Sequence, residues 1–174
     1  MNLPTSKQGC VLRPWAPTDK ASLIANANNH AVWRNLADVF PHPYTDADAD
    51  AWIRIAGTPD RSITLAIEVD GVAVGGIGAR SGAGIFVRTG HFGYWLGEPY
   101  WGQGIVTAAG RALLDYLKQD GRFARLEAPV FEWNPASMRV LEKLGFERVA
   151  VLRKSVTKDG QLIDSVLYSY LLNE

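Results

Sequence analysis

The stretch from His91 to Ala109, His-Phe-Gly-Tyr-Trp-Leu-Gly-Glu-Pro-Tyr-Trp-Gly-Gln-Gly-Ile-Val-Thr-Ala-Ala, gathers residue types suited to holding an anion. It reads as a strand, a short Pro-containing loop, two glycines around Gln103 and then a long helix. Glycine lets a backbone approach a ligand closely. The first turn of a helix leaves its N–H groups unpaired and carries a partial positive charge. Together these make a cradle for phosphate. A Walker loop needs Lys-Ser/Thr after its last glycine, and Ile105-Val106 stand there instead, so that chemistry is excluded. A dinucleotide fingerprint needs a third glycine where Thr107 stands, and it belongs early in a chain rather than late.

A second group lies downstream. Asn134-Pro135 opens a helix, since Asn caps well and Pro suits the first turn. Ser137 follows one helical turn on and shares the face of Asn134. Arg139 and Lys143 lie on the same helix and can meet phosphates. Glu127 sits on the strand before it, with Glu98, His91 and Asp164 as further titratable groups. Cys10, the single cysteine, has no histidine near it in sequence and suggests no covalent nucleophile.

These residues need elements to hold them. Cys10–Trp15 reads as a strand ended by Pro14 and Pro17, and Thr18 as the cap of a helix carrying Leu23, Ile24 and Ala27. Asn28-Asn29 ends that helix, and an aromatic, irregular connection runs from Trp33 to Tyr44. Thr45-Asp46-Ala47-Asp48 is a capping box that opens a helix burying Trp52 and Ile55. Ser62–Val69 and Val72–Gly78 flank Asp70-Gly71, a hairpin signal, and Ser81-Gly82-Ala83-Gly84 marks a loop before the strand ending at Leu96. The helix from Ile105 to about Asp120 places Val106, Ala109, Leu113 and Leu117 on one face. Arg125–Glu132 is a strand, Met138, Leu141 and Leu144 face inward on the next helix, and Gly145 ends it. Phe146–Arg153 and Leu162–Leu172 pair around Lys158-Asp159-Gly160. The order β-α-α-β-β-β-α-β-α-β-β predicts a mixed, mostly antiparallel α/β sheet. The two central strands, joined by a helix, run parallel.

The 174 residues are 47% hydrophobic, enough for one compact domain, and 18 Lys+Arg balance 18 Asp+Glu. No field drives the chain toward nucleic acid or an anionic membrane. Three histidines, His30, His42 and His91, have no metal-ligand spacing. No apolar run approaches the roughly 20 residues that span a bilayer, and the first residues lack the apolar core of a signal peptide. The expectation is a cytoplasmic protein, monomer or homodimer, with residues 1–9 a flexible N-terminus and 10–174 a single domain.

Several segments, in this order, resemble the Gcn5-related N-acetyltransferases (GNAT), and within them the group similar to ribosomal-protein alanine acetyltransferases (RimJ/RimL-like). They are Val11-Leu12-Arg13-Pro14-Trp15, Val32-Trp33-Arg34-Asn35, Phe40-Pro41-His42-Pro43-Tyr44-Thr45 and Asp50-Ala51-Trp52-Ile53. The strongest are Gly93-Tyr94-Trp95-Leu96, Tyr100-Trp101-Gly102-Gln103-Gly104, and Asn134 through Phe146. The resemblance implies about seven strands with a splayed central parallel pair, the first of them bulged, flanked by about four helices. It also implies acetyl-CoA as cosubstrate, with no metal. Gly102, Gln103, Gly104, Ile105, Val106 and Thr107 would then hold the pyrophosphate, beside Trp101. Tyr94, Trp95 and Leu96 would line the pantetheine arm, with a backbone N–H near Leu96 polarising the carbonyl. Asn134 would bond the pantetheine, and Ser137 would donate to the CoA sulfur. Arg139 and Lys143 would meet phosphates. Trp101 and Val106 depart from the family's usual residues at their positions, and Glu127 stands two residues further from Asn134 than in alanine-acetylating relatives.

Acetyl transfer from a thioester to an amine needs a neutral amine, a donor for the developing oxyanion and a proton for the leaving thiolate. An α-amino group, with pKa about 7.7–8.0, needs only a modest base; a lysine side chain near 10.4 needs more. Glu127 is the expected base and Ser137 the expected acid. The acceptor, a protein or peptide N-terminus or a small amine, is expected against Trp33, Phe40 and Tyr44 and attacks directly in a ternary complex. The alternatives are a non-catalytic acyl-CoA-binding or sensor module on the same fold and a dinucleotide-binding protein.

Overall fold

A computed structural model of the chain describes residues 1–58 and 60–172. The strands are β1 (Leu3–Pro4), β2 (Cys10–Arg13), β3 (Ile63–Val69), β4 (Val72–Ser81), β5 (Thr89–Leu96), β6 (Arg125–Phe131), β7 (Glu147–Lys158) and β8 (Gln161–Leu171). The helices are α1 (Lys20–Ala27), α2 (His30–Trp33), α3 (Asp46–Ala56), α4 (Ile105–Asp120) and α5 (Pro135–Lys143). The strands form one 8-stranded sheet in the order β1-β2-β3-β4-β5-β6-β8-β7. Every pairing is antiparallel except β5 with β6. The expected parallel pair is therefore where the connecting helix α4 demands it. One strand and one helix exceed the expected numbers: β1 has 2 residues and α2 has 4, too short to show a period.

Helices cover both faces. On one, Ile105, Ala109, Leu113 and Leu117 of α4 and Leu141 of α5 pack on Leu12, Ile67, Phe92 and Leu126, all at most 3% exposed. On the other, Leu23 and Ala27 of α1, Val32 of α2 and Ala49 of α3 close over Trp15, Ala66, Ala73 and Trp95. Local sequence explains most boundaries. Thr45 Oγ accepts from Asp48 N–H while the Asp48 carboxylate accepts from Thr45 N–H, closing the expected box at α3. Asn134 Oδ1 accepts Ser137 N–H at 3.1 Å and starts α5.

Two expectations fail locally. Thr18 does not cap α1: it lies inside a 3-10 turn, Pro17–Asp19, and it is the Asp19 carboxylate that accepts Ala16 N–H at 2.8 Å. Arg13 holds that carboxylate with two hydrogen bonds of 2.7 Å, a bidentate pair that fixes Asp19 in this role. Ile55 is 62% exposed, because α3 turns Ala49 rather than Ile55 onto the sheet, with Trp52 only partly buried.

The parallel ladder is short. It joins Thr89 to Arg125, Gly90 to Leu126 and His91 to Glu127 and then ends, although β5 runs on to Leu96 and β6 to Phe131. The β4–β5 ladder continues without a register shift from Ser81↔Gly90 to Gly75↔Leu96. The expected splay is present, and the expected bulge in β5 is not: the gap opens on the β6 side alone.

Candidate active site

Alternation fixes what the gap presents. Gly97 N–H donates to Val74 C=O and Gly82 N–H to Thr89 C=O, so odd-numbered residues of β5 bond to β4. The even-numbered ones, Phe92, Tyr94 and Leu96, turn their peptide groups toward β6. Beyond Phe92 those groups find no strand. Leu96 C=O accepts the Trp101 indole N–H at 2.7 Å, which leaves the Leu96 N–H as the free donor at the end of β5. Trp101 is thus a brace for the strand end as well as a neighbour of the glycine loop.

Side chains from α5 close one side of the gap. Tyr94 Oη lies 2.7 Å from Ser137 Oγ and 3.1 Å from Ser137 C=O. Burial pushes the Tyr94 phenol up to about 12 against the opposing hydrogen bond from Ser137, so it stays protonated through the neutral range. The Asn134 cap fixes the first turn of α5 and therefore the place of Ser137. Ser137 and Asn134 come together as their spacing suggested, and Tyr94 joins them across the gap. Trp95 and Leu96 are 9% and 6% exposed and serve the two cores, Trp95 stacking on Trp15 at 6.4 Å.

At the start of α4, Gly102 and Gly104 have φ of +73° and +75°, a region closed to most side chains, and a Cβ on either would meet nothing within 4 Å. Gly104 is the N-cap residue and no side chain caps the helix, so its first N–H groups face outward. Val106 packs against the core and offers the loop only its backbone. Gln103 donates to Pro99 C=O at 3.0 Å and stiffens the loop. In front lies a cleft of about 430 Å³ lined by Gln103, Gly104, Thr107, Lys7, Arg111 and Lys143 among others. Lys7 and Arg111 escaped the sequence reading. Arg111 stands four residues after Thr107, a helical spacing that signals it. Lys7 comes from the N-terminal segment, where Thr5 Oγ accepts Lys7 N–H at 3.2 Å and Cys10 N–H donates to Lys7 C=O at 3.1 Å. Arg139 is exposed and does not line this cleft.

The opposite face of the sheet carries the other candidates. Glu127 and His91 are register partners there, and Arg125 pairs with Glu127 at 2.8 Å. They border a second cavity of about 450 Å³ with Thr89 and Phe86. Gly93, exposed and with open space where a Cβ would stand, lies further along the same face. Glu127 and Ser137 therefore reach the gap from opposite faces. Trp33 meets the hairpin tip: Lys158 Nζ sits 3.5 Å from the Trp33 ring centroid and 2.5 Å from Asp38 Oδ1. Arg34 stacks on Trp133 at 5.1 Å. Phe40 packs on Trp95 and Tyr44, and Tyr44 is 5% exposed, so both belong to the second core. Glu98 accepts from Asn29 Nδ2 at 2.7 Å and Asp164 from Lys154 N–H at 2.8 Å, which gives both a structural partner. Among the described residues no helix is long and apolar enough to cross a membrane.

Comparison with known proteins matches this geometry. The Acetyltransferase (GNAT) domain family matches residues 10–147. The Probable N-acetyltransferase YjcK of Bacillus subtilis (strain 168) is 40% identical over 74 residues, 42% of this chain and 41% of YjcK, so the chain spans under half the length of this curated relative. Among solved structures, RimL, a ribosomal alpha-N-protein acetyltransferase in complex with Coenzyme A, superposes with a TM-score of 0.86 at 18% identity, over 99% of this chain and 98% of that one. RimJ of Mycobacterium smegmatis, in complex with CoA-disulfide, gives 0.85 at 24% identity, over 98% and 87%. A short parallel ladder that splays beside an open glycine cradle, and a family match over most of the chain, agree: this chain belongs to the GNAT family of acetyltransferases.

Proposed function

We propose that the chain transfers an acetyl group from acetyl-CoA to a primary amine, either a protein or peptide N-terminal α-amino group or a small-molecule amine, by direct attack in a ternary complex. The observation that carries this reading is the splayed β5–β6 pair opening beside the uncapped start of α4. The RimL neighbour, named as an alpha-N-protein acetyltransferase, supports the N-terminal acceptor. The outward N–H groups of Ile105, Val106 and Thr107 and the open space before Gly102 and Gly104 fit a pyrophosphate. Bound there, acetyl-CoA supplies the activated acyl group.

The chain's own residues do the rest. Tyr94 and Leu96 offer the gap peptide groups that fit an extended, amide-bearing arm, and the Leu96 N–H is the donor for a carbonyl oxygen. Ser137, whose Oγ rests 2.7 Å from Tyr94 Oη while the phenol donates to Ser137 C=O at 3.1 Å, turns its hydroxyl proton toward the departing sulfur. Glu127, on the opposite face, takes the amine's proton directly or through one water. Gly93 keeps that face clear for the incoming amine. Trp33, at the hairpin tip, is the acceptor-wall residue, Phe40 and Tyr44 belonging to the second core instead, and Asn134 holds α5 in register with the arm.

Lys7, Arg111 and Lys143 give the cleft beside the loop three cationic side chains. The double variant Lys7→Ala/Arg111→Ala is expected to weaken CoA about tenfold, while dephospho-CoA binds within about twofold, because charge contacts near the surface are worth only about 0.7 kcal/mol each. Titration calorimetry with both ligands checks it. The reading as a whole is tested by titrating purified protein with acetyl-CoA, CoA, NAD and ATP, then measuring CoA release over a panel of peptides and amines. Binding of acetyl-CoA with acceptor-dependent release supports it. No CoA binding overturns it, and binding without turnover on any acceptor favours the sensor module.

A further inference from the structure

A proline in a central strand is anomalous, because it removes a ladder hydrogen bond. Pro129 stands in the middle of β6, between β5 and β8. Its strand partners explain how it is tolerated. Leu172 N–H donates to Ala124 C=O at 3.0 Å and Glu132 N–H to Asp164 C=O at 3.1 Å, so even-numbered residues of β6 bond to β8. Odd-numbered residues face β5. Arg125 N–H, the first of them, donates to Arg88 C=O at 3.3 Å. In a parallel ladder the next donors step by two on both strands: Glu127 N–H to Gly90 C=O, then residue 129 to Phe92 C=O. Residue 129 has no N–H. The ladder ends at His91↔Glu127, one step before the bond that Pro129 is unable to make.

The groups beyond are managed in the same sense. Phe131 C=O is taken by Asn134 N–H at 2.9 Å and Leu96 C=O by Trp101. Neither carbonyl is left to recruit a partner strand across the gap. What stays open on β5 is a row made of the Phe92 C=O, the Tyr94 N–H and C=O and the Leu96 N–H.

We propose that Pro129 is the positioning residue that sets where the sheet opens for the acyl carrier: by deleting the donor for Phe92 C=O it keeps β6 from zipping onto β5, and so keeps that row free for an amide-bearing arm. The identity of the arm rests on the proposed transferase function; the opening itself does not.

Two substitutions restore the N–H with different side chains, Pro129→Ala and Pro129→Val. Both are expected to close one further rung in the free protein. Amide hydrogen exchange then reads the residue-129 N–H as protected to about the level of the Glu127 N–H, and titration calorimetry reads CoA binding weakened about three- to tenfold, the worth of one backbone hydrogen bond. Valine, which carries three side-chain carbons as proline does, controls for packing. If valine keeps wild-type affinity while alanine loses it, ring packing and not the missing donor sets the gap, and the proposal falls. It falls equally if both variants bind CoA within twofold of wild type with an unprotected residue-129 N–H. Wild-type protein that binds no CoA would overturn the transferase reading, and the exchange experiment would still decide the role of Pro129.

Discussion

Exchanging Ser137 for alanine lowers kcat about a hundredfold and leaves the affinity for CoA within about threefold, the range in which a positioned general acid acts. The expectation follows from what the hydroxyl does and what the rest of the residue does. The backbone N–H of Ser137 completes the Asn134 cap, and alanine keeps it, so α5 stays in place. The hydroxyl itself meets Tyr94 at 2.7 Å. Because burial holds the Tyr94 phenol near 12, its proton stays on oxygen and is donated to Ser137 C=O at 3.1 Å, which fixes Oη beside Ser137 Oγ and leaves the serine's own proton to turn toward a leaving sulfur. Alanine removes that proton without unburying a charge. Ser137→Thr, which keeps a hydroxyl, is expected to recover part of the rate. The pH profile is a second readout. Activity on an N-terminal amine rises through about pH 8 as the amine loses its proton. It then stays level toward pH 10, because Tyr94 loses its proton only near 12. Steady-state CoA release with matched calorimetry decides the case: a kcat within threefold of wild type removes Ser137 from the chemistry.

The sequence carried this group well because each member announces itself locally. Asn-Pro followed by Ser one turn later is a helix start whatever the fold, and the glycine pair before a strongly periodic helix can be little else. The hairpin at Asp70-Gly71 and the box at Thr45 are equally local, and both are present. What escaped depends on registers between distant segments. Pro129 looks like a strand-breaking nuisance until the parity of β6 against β8 is known, and that parity is set by residues some forty positions apart in the chain. Lys7 reaches the cleft only because β1 and its turn pair back onto β2. Thr18 had the composition of a cap, but a 3-10 turn precedes α1 there: the Asp19 carboxylate, held by Arg13, reaches back to Ala16 N–H, and no side chain caps α1. Glu127 stands alone as a base in the sequence, but the fold gives it a cationic neighbour two residues away on the same face, Arg125, as strand alternation requires.

Gly104→Val is expected to weaken CoA binding about a hundredfold or more while costing the fold little. Two effects must be separated. At φ +75° a β-branched side chain is strained by about 1–2 kcal/mol. At this chain length that corresponds to a fall in Tm of about 2–8 °C. The helix survives it, because Ile105, Ala109, Leu113 and Leu117 are at most 1% exposed and anchor α4 along its whole length. The second effect is spatial. The new Cβ enters open space directly before the first N–H groups of α4, where a phosphate would sit. Losing two charge-assisted hydrogen bonds of about 1.5–3 kcal/mol each gives the hundredfold or greater loss. Gly121 supplies the control. It ends the same helix at φ +69°, also with nothing within 4 Å of a Cβ, but at the opposite pole. Gly121→Val therefore carries the same strain and should lower Tm by a similar amount with CoA affinity unchanged. Thermal unfolding and calorimetry on the pair separate strain from occupancy. Equal affinity losses in both variants would trace the effect to a loosened helix, and a Gly104→Val protein that still binds CoA within threefold would take the phosphate cradle away from this loop.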